Sequence, residues 1–117
     1  MHVGDFNQLQ ELHVNGASVT NGSLTGLKSA KSLLKVGLGN NPLVTDIGLK
    51  NLRKCRDLVY LNFNGIQLIS DYTLKGFSKH TKLEVLQIND ATCTLDGINK
   101  FKKAVPACRV QFRNQEY

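Results

Sequence analysis

Apolar residues return along the chain at a nearly constant interval. Leu9, Leu33, Leu58 and Leu83 stand 24, 25 and 25 residues apart. Each begins the same short pattern, namely Leu9-x-x-Leu12-x-Val14, Leu33-x-x-Val36-x-Leu38, Leu58-x-x-Leu61-x-Phe63 and Leu83-x-x-Leu86-x-Ile88. A fixed period of this length is typical of tandem repeat architectures. The alternation of apolar and polar residues within each copy predicts a short strand with one buried face.

A second pattern follows each predicted strand. Its apolar residues recur every three positions, as at Leu49 and Leu52, which suits one side of a short helix. A hydroxyl residue precedes each of these segments where a helix N-cap is expected, at Thr20, Thr45, Ser70 and Thr94. The repeat unit is therefore predicted to be a strand, a turn and a helix.

The repeats are predicted to form a single domain, residues 1–117. Val3 lies six residues before Leu9, as Leu27 does before Leu33, so residues 1–8 are interpreted as the tail of a partial repeat. Because no capping segment is recognisable there, we expect an exposed N-terminal strand edge. The repeats proper are residues 9–32, 33–57, 58–82 and 83–107, followed by a closing strand at 108–113 and a polar tail at 114–117.

The second half of the unit resembles a known sequence pattern. Residues 44–58, VTDIGLKNLRKCRDL, resemble I-T-D-x-x-L-x-x-L-x-x-x-C-x-x-L, the pattern of the cysteine-containing subtype of leucine-rich repeats, with two residues instead of three before Cys55. Residues 69–83 have the same spacing with His80 in the cysteine place, and Ala30 stands there one repeat earlier. The chain departs from the family at the strand-end Asn/Cys place, so ladders of side-chain bonds to the turn backbone are expected to be mostly absent. The residues at that place are Ala17, Asn41, Ile66 and Ala91.

The resemblance implies an α/β fold: a short, curved solenoid with a parallel concave sheet of about five strands and helices on the convex side. It also implies a non-catalytic module or scaffold that binds a protein partner. Arrays of this subtype hold substrates in F-box ubiquitin-ligase adaptors, and short arrays similar to mitochondrial coupling factor B belong to larger complexes. We therefore expect a subunit of a complex, or part of a longer array, that contacts its partner through the concave face, the open N-terminal edge or both.

The polar positions of the strands predict the concave surface, because they alternate with the buried ones. They form three columns, and we predict that these residues bind the partner. Tyr60 is the expected aromatic anchor, and Gly37 and Gly39 are expected to leave a bare strip of backbone beside it. The first column is Glu11, Lys35, Tyr60, Val85 and Arg109; the second is His13, Gly37, Asn62, Gln87 and Gln111; the third is Asn15, Gly39, Asn64, Asn89 and Arg113.

The charge distribution leaves a second hypothesis open. The net charge is +6, and 12 of the 15 Lys and Arg residues fall in or just after the predicted helices. A solvated helical face accounts for them, since cations favour helix C-termini. Alternatively, the basic convex helices contact nucleic acid or an acidic protein within a mitochondrial or ribonucleoprotein complex.

The residues that could support chemistry are few and scattered. Cys55 and Cys93 occupy positions that are apolar or small in other repeats, so we expect reduced core residues and a reducing intracellular compartment: cytoplasmic, nuclear or mitochondrial. His2, His13 and His80 are scattered, neither His13 nor His80 has a Cys or carboxylate near it in sequence at ligand spacing, and we expect His80 to be partly buried at a helix end. The sequence thus predicts no enzyme, cofactor, metal site or membrane span.

Overall fold

The computed structural model of the chain describes residues 8–16 and 18–117. The predicted partial repeat at residues 1–8, with His2 and Val3, lies outside the described residues except for its last position, and Ala17 lies outside them as well.

In the described residues, six short strands form one sheet in chain order. The first five are parallel and the sixth is antiparallel to the fifth, so the α/β class with a mostly parallel sheet is confirmed. Each of the four sequence repeats contributes one strand, and residues 108–113 contribute the fifth. The strands are β1 Glu11–His13, β2 Lys35–Gly37, β3 Tyr60–Asn62, β4 Val85–Gln87, β5 Arg109–Phe112 and β6 Gln115–Glu116.

The strands pair in the register that the sequence period predicts. Leu61 of β3 stands opposite Val36 on one side and Leu86 on the other, so the buried residues of successive repeats stack on one another. Tyr60 and Asn62, on either side of Leu61, point to the opposite face with their equivalents. One face of the sheet is therefore packed, and the other, which we call the open face, carries the polar columns.

Short helical segments connect the parallel strands on the packed side. Thr45, Ser70 and Thr94 are N-caps as predicted, and each hydroxyl accepts a hydrogen bond from a backbone N–H in the first turn. Thr20 differs because its helix begins later, with Asn21 at the N-cap position. The segments are the 3-10 helix η1 Gly22–Ser29, α1 Asp46–Leu49, the 3-10 helix η2 Lys50–Leu52, α2 Asp71–Gly76 and α3 Leu95–Ala104.

The hydrophobic core lies between the sheet and the helices. Leu33, Leu58 and Leu83, which begin the second, third and fourth repeats, are all fully buried. In the first repeat, by contrast, Leu9, Leu12 and Val14 are only partly buried. Within the described residues no strand pairs with the outer side of β1. The first repeat therefore has a packed neighbour on one side only in this part of the chain.

The C-terminal residues differ from the predicted tail. Gln115 and Glu116 pair with β5, and the Tyr117 backbone exchanges two hydrogen bonds with Val110 at 2.7 and 3.0 Å. The chain reverses at Arg113 and Asn114, whose φ angles are +52° and +60°. Positive φ at both central residues is the geometry of a tight hairpin turn, and Asn favours it. A hairpin thus covers the edge of the sheet at β5.

Within the described residues, no helix combines the length and apolar character that a transmembrane span requires.

Candidate functional site

Most side chains in the first column of the open face are not used by internal hydrogen bonds of the described residues. Lys35, Tyr60, Val85 and Arg109 lie side by side on neighbouring strands. Lys35 and Arg109 are exposed, while Tyr60 and Val85 between them are half-buried. Within the described residues none of these side chains forms a hydrogen bond or an ion pair. Glu11, at the end of the column, is engaged by His13 at 3.2 Å.

The second column is partly used by the fold itself. The Asn62 side chain accepts a hydrogen bond from the backbone N–H of Asn64 at 3.0 Å. Gln87 accepts one from the Asn64 side-chain amide at 2.9 Å. Gln111 is half-buried and its side chain makes no such bond within the described residues. Asn62 and Gln87, which the sequence predicted to bind a partner, therefore stabilise the turn after β3.

The third column is a ladder of asparagines. The Asn15 carbonyl oxygen accepts from the backbone N–H of Gly39 at 2.7 Å, and Asn64 accepts from that of Asn89 at 3.0 Å. Asn89 accepts in turn from Asn114 at 2.9 Å. Each bond joins positions about one repeat apart. The side chains of Asn15, Asn64 and Asn89 therefore connect successive turns.

The prediction of a bare backbone strip at Gly37 and Gly39 is wrong. Both glycines are buried, because the side chains of His13 and Asn15 lie over them. A Cβ at Gly37 would lie 3.0 Å from His13 Nδ1, and one at Gly39 would lie 3.0 Å from the Asn64 carbonyl oxygen. The glycines thus allow close packing of neighbouring strands and turns, and they offer no surface to a partner.

Arg113 does not extend the third column either. It lies in the turn between β5 and β6, where its guanidinium carbon stands 4.6 Å from the centre of the Phe112 ring. The sequence pattern placed Arg113 by continuing the period through the last strand, but the turn ends that period there.

A second ladder, on the helical side, was not predicted. The Asp46 carboxylate accepts from the backbone N–H of Ser70 at 3.0 Å and from its hydroxyl at 2.6 Å. Asp71 accepts the corresponding bonds from Thr94 at 2.8 and 2.7 Å. Asn21 precedes them in the series and accepts from the Thr45 N–H at 2.9 Å. Asp46 and Asp71 follow the N-cap of one helix and fix the N-cap of the next, and Asn21, at the N-cap position of η1, fixes Thr45 in the same way.

The strand-end position largely follows the sequence expectation. Ile66 and Ala91 are buried apolar residues and make no side-chain bonds to the turns. Asn41 is the exception: it is fully buried, and its amide nitrogen donates to the carbonyls of Val14 and Leu38, both at 2.8 Å. It thereby connects the turns after β1 and β2.

The three cysteines are buried and unpaired, which confirms the prediction for Cys55 and Cys93. Burial raises the pKa of each thiol to about 11. Because the thiolate is the reactive form, these side chains are poor nucleophiles near neutral pH. Cys55 instead donates weak hydrogen bonds to the Leu27 and Ala30 carbonyls, at 3.5 and 3.4 Å.

His80 is fully buried, and not partly buried as the sequence suggested. Within the part of the chain that the structure describes, neither of its ring nitrogens has a hydrogen-bond partner, and the ring packs edge-on against Phe77 with centroids 4.8 Å apart. Burial lowers the pKa of His80 below its ordinary value of 6.5, and the nearby positive charge of Arg56 lowers it further. His13, by contrast, lies exposed on the open face. Across residues 8–16 and 18–117, no group of His, Cys, Asp and Glu side chains is arranged to hold a metal ion.

A scan against protein-family models finds no match, and a search of the curated proteins finds no significant relative.

Proposed function

We propose that this chain is a non-catalytic protein-binding module of the leucine-rich-repeat type, a short solenoid that binds its partner through the first column of the open face. The observation that carries the proposal is the free state of that column. Tyr60 and Val85 form an apolar centre, and Lys35 and Arg109 stand on either side of it. In the neighbouring columns, five of the six Asn and Gln side chains are held by internal hydrogen bonds, namely those of Asn15, Asn62, Asn64, Gln87 and Asn89.

The composition of the column indicates the partner's chemistry. A half-buried aromatic ring next to an aliphatic residue is a suitable anchor, because aromatic residues contribute strongly to binding energy at the centre of an interface. The cations beside them favour acidic groups at the rim of the partner's contact surface. The ladders support the same function, since a surface on a rigid, cross-bonded sheet loses little conformational freedom on binding.

The remaining features support a binding role over catalysis. The thiols of Cys55, Cys93 and Cys108 are buried and protonated at neutral pH, and the buried His80 has no contact with an open surface. The unpaired state of the thiols also supports our proposal that the protein works in a reducing intracellular compartment.

The experiment uses two tyrosines that lie on opposite sides of the chain. A photo-crosslinking analogue, p-benzoylphenylalanine, replaces either Tyr60 on the open face or Tyr72 on the helical side. Tyr72 is 48% exposed, so it is the matched control. Irradiation in cells should give a discrete protein adduct from position 60 and none of the same mass from position 72. Adducts from position 72 alone, or from neither position, would contradict the proposal.

A further inference from the structure

The helical side contains equivalent grooves between successive repeats, and one of them is open and basic. This groove, between η1 and the α1–η2 segment, has a volume of about 440 Å³. Its lining includes Lys28, Lys31, Ile47, Lys50, Asn51 and Lys54. We call it the lysine groove. No acidic residue lines it, and none of its four lysines forms an ion pair within the described residues.

The next groove along the chain is closed by a side chain. Arg53, one repeat after Lys28, lies over the Tyr72 ring with its guanidinium carbon 4.4 Å from the ring centre. It also donates to the Tyr72 carbonyl at 3.3 Å and lies so close to Gly76 that a Cβ there would overlap it. The Arg53 side chain therefore fills the groove that is open one repeat earlier.

The third groove, between α2 and α3, is open but balanced in charge. Asp71 and Asp96 line it together with Lys75 and Lys100, and Lys100 pairs with Asp96 at 3.2 Å. Of these three grooves in the described residues, the lysine groove is the one that combines an opening with uncompensated positive charge. At its rim Ile47 is 72% exposed, at the position that Tyr72 and Asp96 occupy in the following repeats.

These contrasts define the ligand chemistry. Four neighbouring ammonium groups repel one another, and a partner that brings carboxylates relieves this repulsion. The exposed Ile47 offers an apolar contact, and the groove contains no aromatic ring on which a nucleobase could stack. We propose that the lysine groove is a docking site for an acidic peptide segment that places an apolar side chain against Ile47. This site is separate from the open face, so its test does not depend on the proposed function.

The test measures fluorescence anisotropy with a labelled peptide of about 12 residues made of glutamate and leucine, at about 0.1 M ionic strength. The unmodified chain should bind it saturably. Lys50→Glu should weaken binding at least about fivefold, whereas Lys75→Glu, the same change one repeat later, should alter it by less than about twofold. Ile47→Ser should weaken binding by about threefold or more, since it removes the apolar contact.

Several outcomes would overturn the proposal. These are absence of saturable binding, equal losses for Lys50→Glu and Lys75→Glu, and full binding by Ile47→Ser. Should either lysine variant fail to fold by circular dichroism, Lys54→Glu and Lys79→Glu provide a second pair at equivalent positions. An oligouridylate of the same length distinguishes the other class of ligand: binding as tight as that of the peptide would assign the groove to nucleic acid and contradict the proposal.

Discussion

The carboxylate of Asp46 holds the N-cap of the following helix in place, because it accepts hydrogen bonds from both the backbone N–H and the hydroxyl of Ser70. It accepts a third bond from the Thr73 hydroxyl. Ser70 in turn caps α2 by accepting from the Tyr72 N–H at 3.2 Å. One side chain thus connects the start of α1 to the start of α2, and the spacing between the repeats on the helical side depends on it.

Replacing Asp46 with alanine should lower the free energy of unfolding by about 2 kcal/mol, because it leaves partly buried donors of Ser70 and Thr73 without an acceptor. Asp46→Asn should cost less than half as much, since Asn21 occupies the equivalent position and accepts the same backbone bond from Thr45. Urea unfolding measures both. Within the described residues the Asp96 carboxylate pairs only with the exposed Lys100, so Asp96→Ala should change stability by about 0.5 kcal/mol or less. Equal losses at Asp46 and Asp96 would contradict the role of the ladder.

The orientation of β3 is tested by two adjacent residues. Leu61 is fully buried, so Leu61→Ala should cost about 2–5 kcal/mol through loss of apolar contact and the cavity left behind. Asn62→Ala should cost about 1 kcal/mol or less, since it removes a single hydrogen bond to the backbone of Asn64. If both variants lost the same stability in urea, the assignment of the packed and open faces would be wrong.

The regular features of this fold could be predicted from the sequence because they depend on local spacing. The interval from Leu33 to Leu58 predicts which residues of β2 and β3 are paired and buried, and Thr45 marks the helix start that follows. These features repeat in each unit, so an error in one copy would conflict with the others. The first column of the open face follows from the same interval.

What could not be predicted depends on contacts between repeats and on backbone conformation. In the sequence, Asn15 and Asn64 resemble typical interface amides. In the structure, their side-chain oxygens accept hydrogen bonds from turns about one repeat away, and the sequence pattern does not show these contacts. Gly39 is buried because the Asn15 side chain covers it, and this contact cannot be predicted from the strand pattern. The hairpin at Arg113 requires two positive φ angles, for which Asn114 was the available signal.

The buried His80 should make stability depend on pH. Its folded-state pKa is lowered, above all by burial, so the folded chain resists protonation while the unfolded chain accepts a proton near the ordinary pKa of 6.5. Above pH 6.5 the neutral ring therefore does not lower the free energy of unfolding. As the pH drops below 6.5 towards the lowered folded pKa, the free energy of unfolding falls. Urea unfolding at a series of pH values measures this slope.

Replacement of His80 with Cys, the residue at the equivalent position 55, should flatten that slope. A slope that persists in His80→Cys would assign the pH dependence to other groups.

Hydrogen exchange should show that the first repeat is the least stable of the four. The backbone N–H groups of Val14, Leu38, Phe63 and Ile88 make the same bond to the next strand, at 2.8 to 2.9 Å. Val14 should exchange fastest, because its repeat is only partly buried and has a described neighbour on one side alone.

Similar protection at all four amides would contradict this expectation and would mean that the N-terminal edge is stable by itself. The start of the first helix is stabilised within its own repeat. Thr20 and Ser23 exchange hydrogen bonds between hydroxyl and backbone N–H groups, at 3.2 and 3.3 Å, so this helix start needs no ladder residue before it.

The most direct test of the binding surface is the affinity of the partner captured from position 60, measured by titration calorimetry against variants on the two sides of the chain. Tyr60→Ala should raise the Kd about tenfold or more, and Val85→Arg should do the same by placing a charge in the apolar centre. Tyr72→Ala, the matched change on the helical side, should leave the Kd within about twofold. A partner that binds Tyr60→Ala and Val85→Arg as tightly as the unmodified chain would contradict the assignment of the open face as the binding surface.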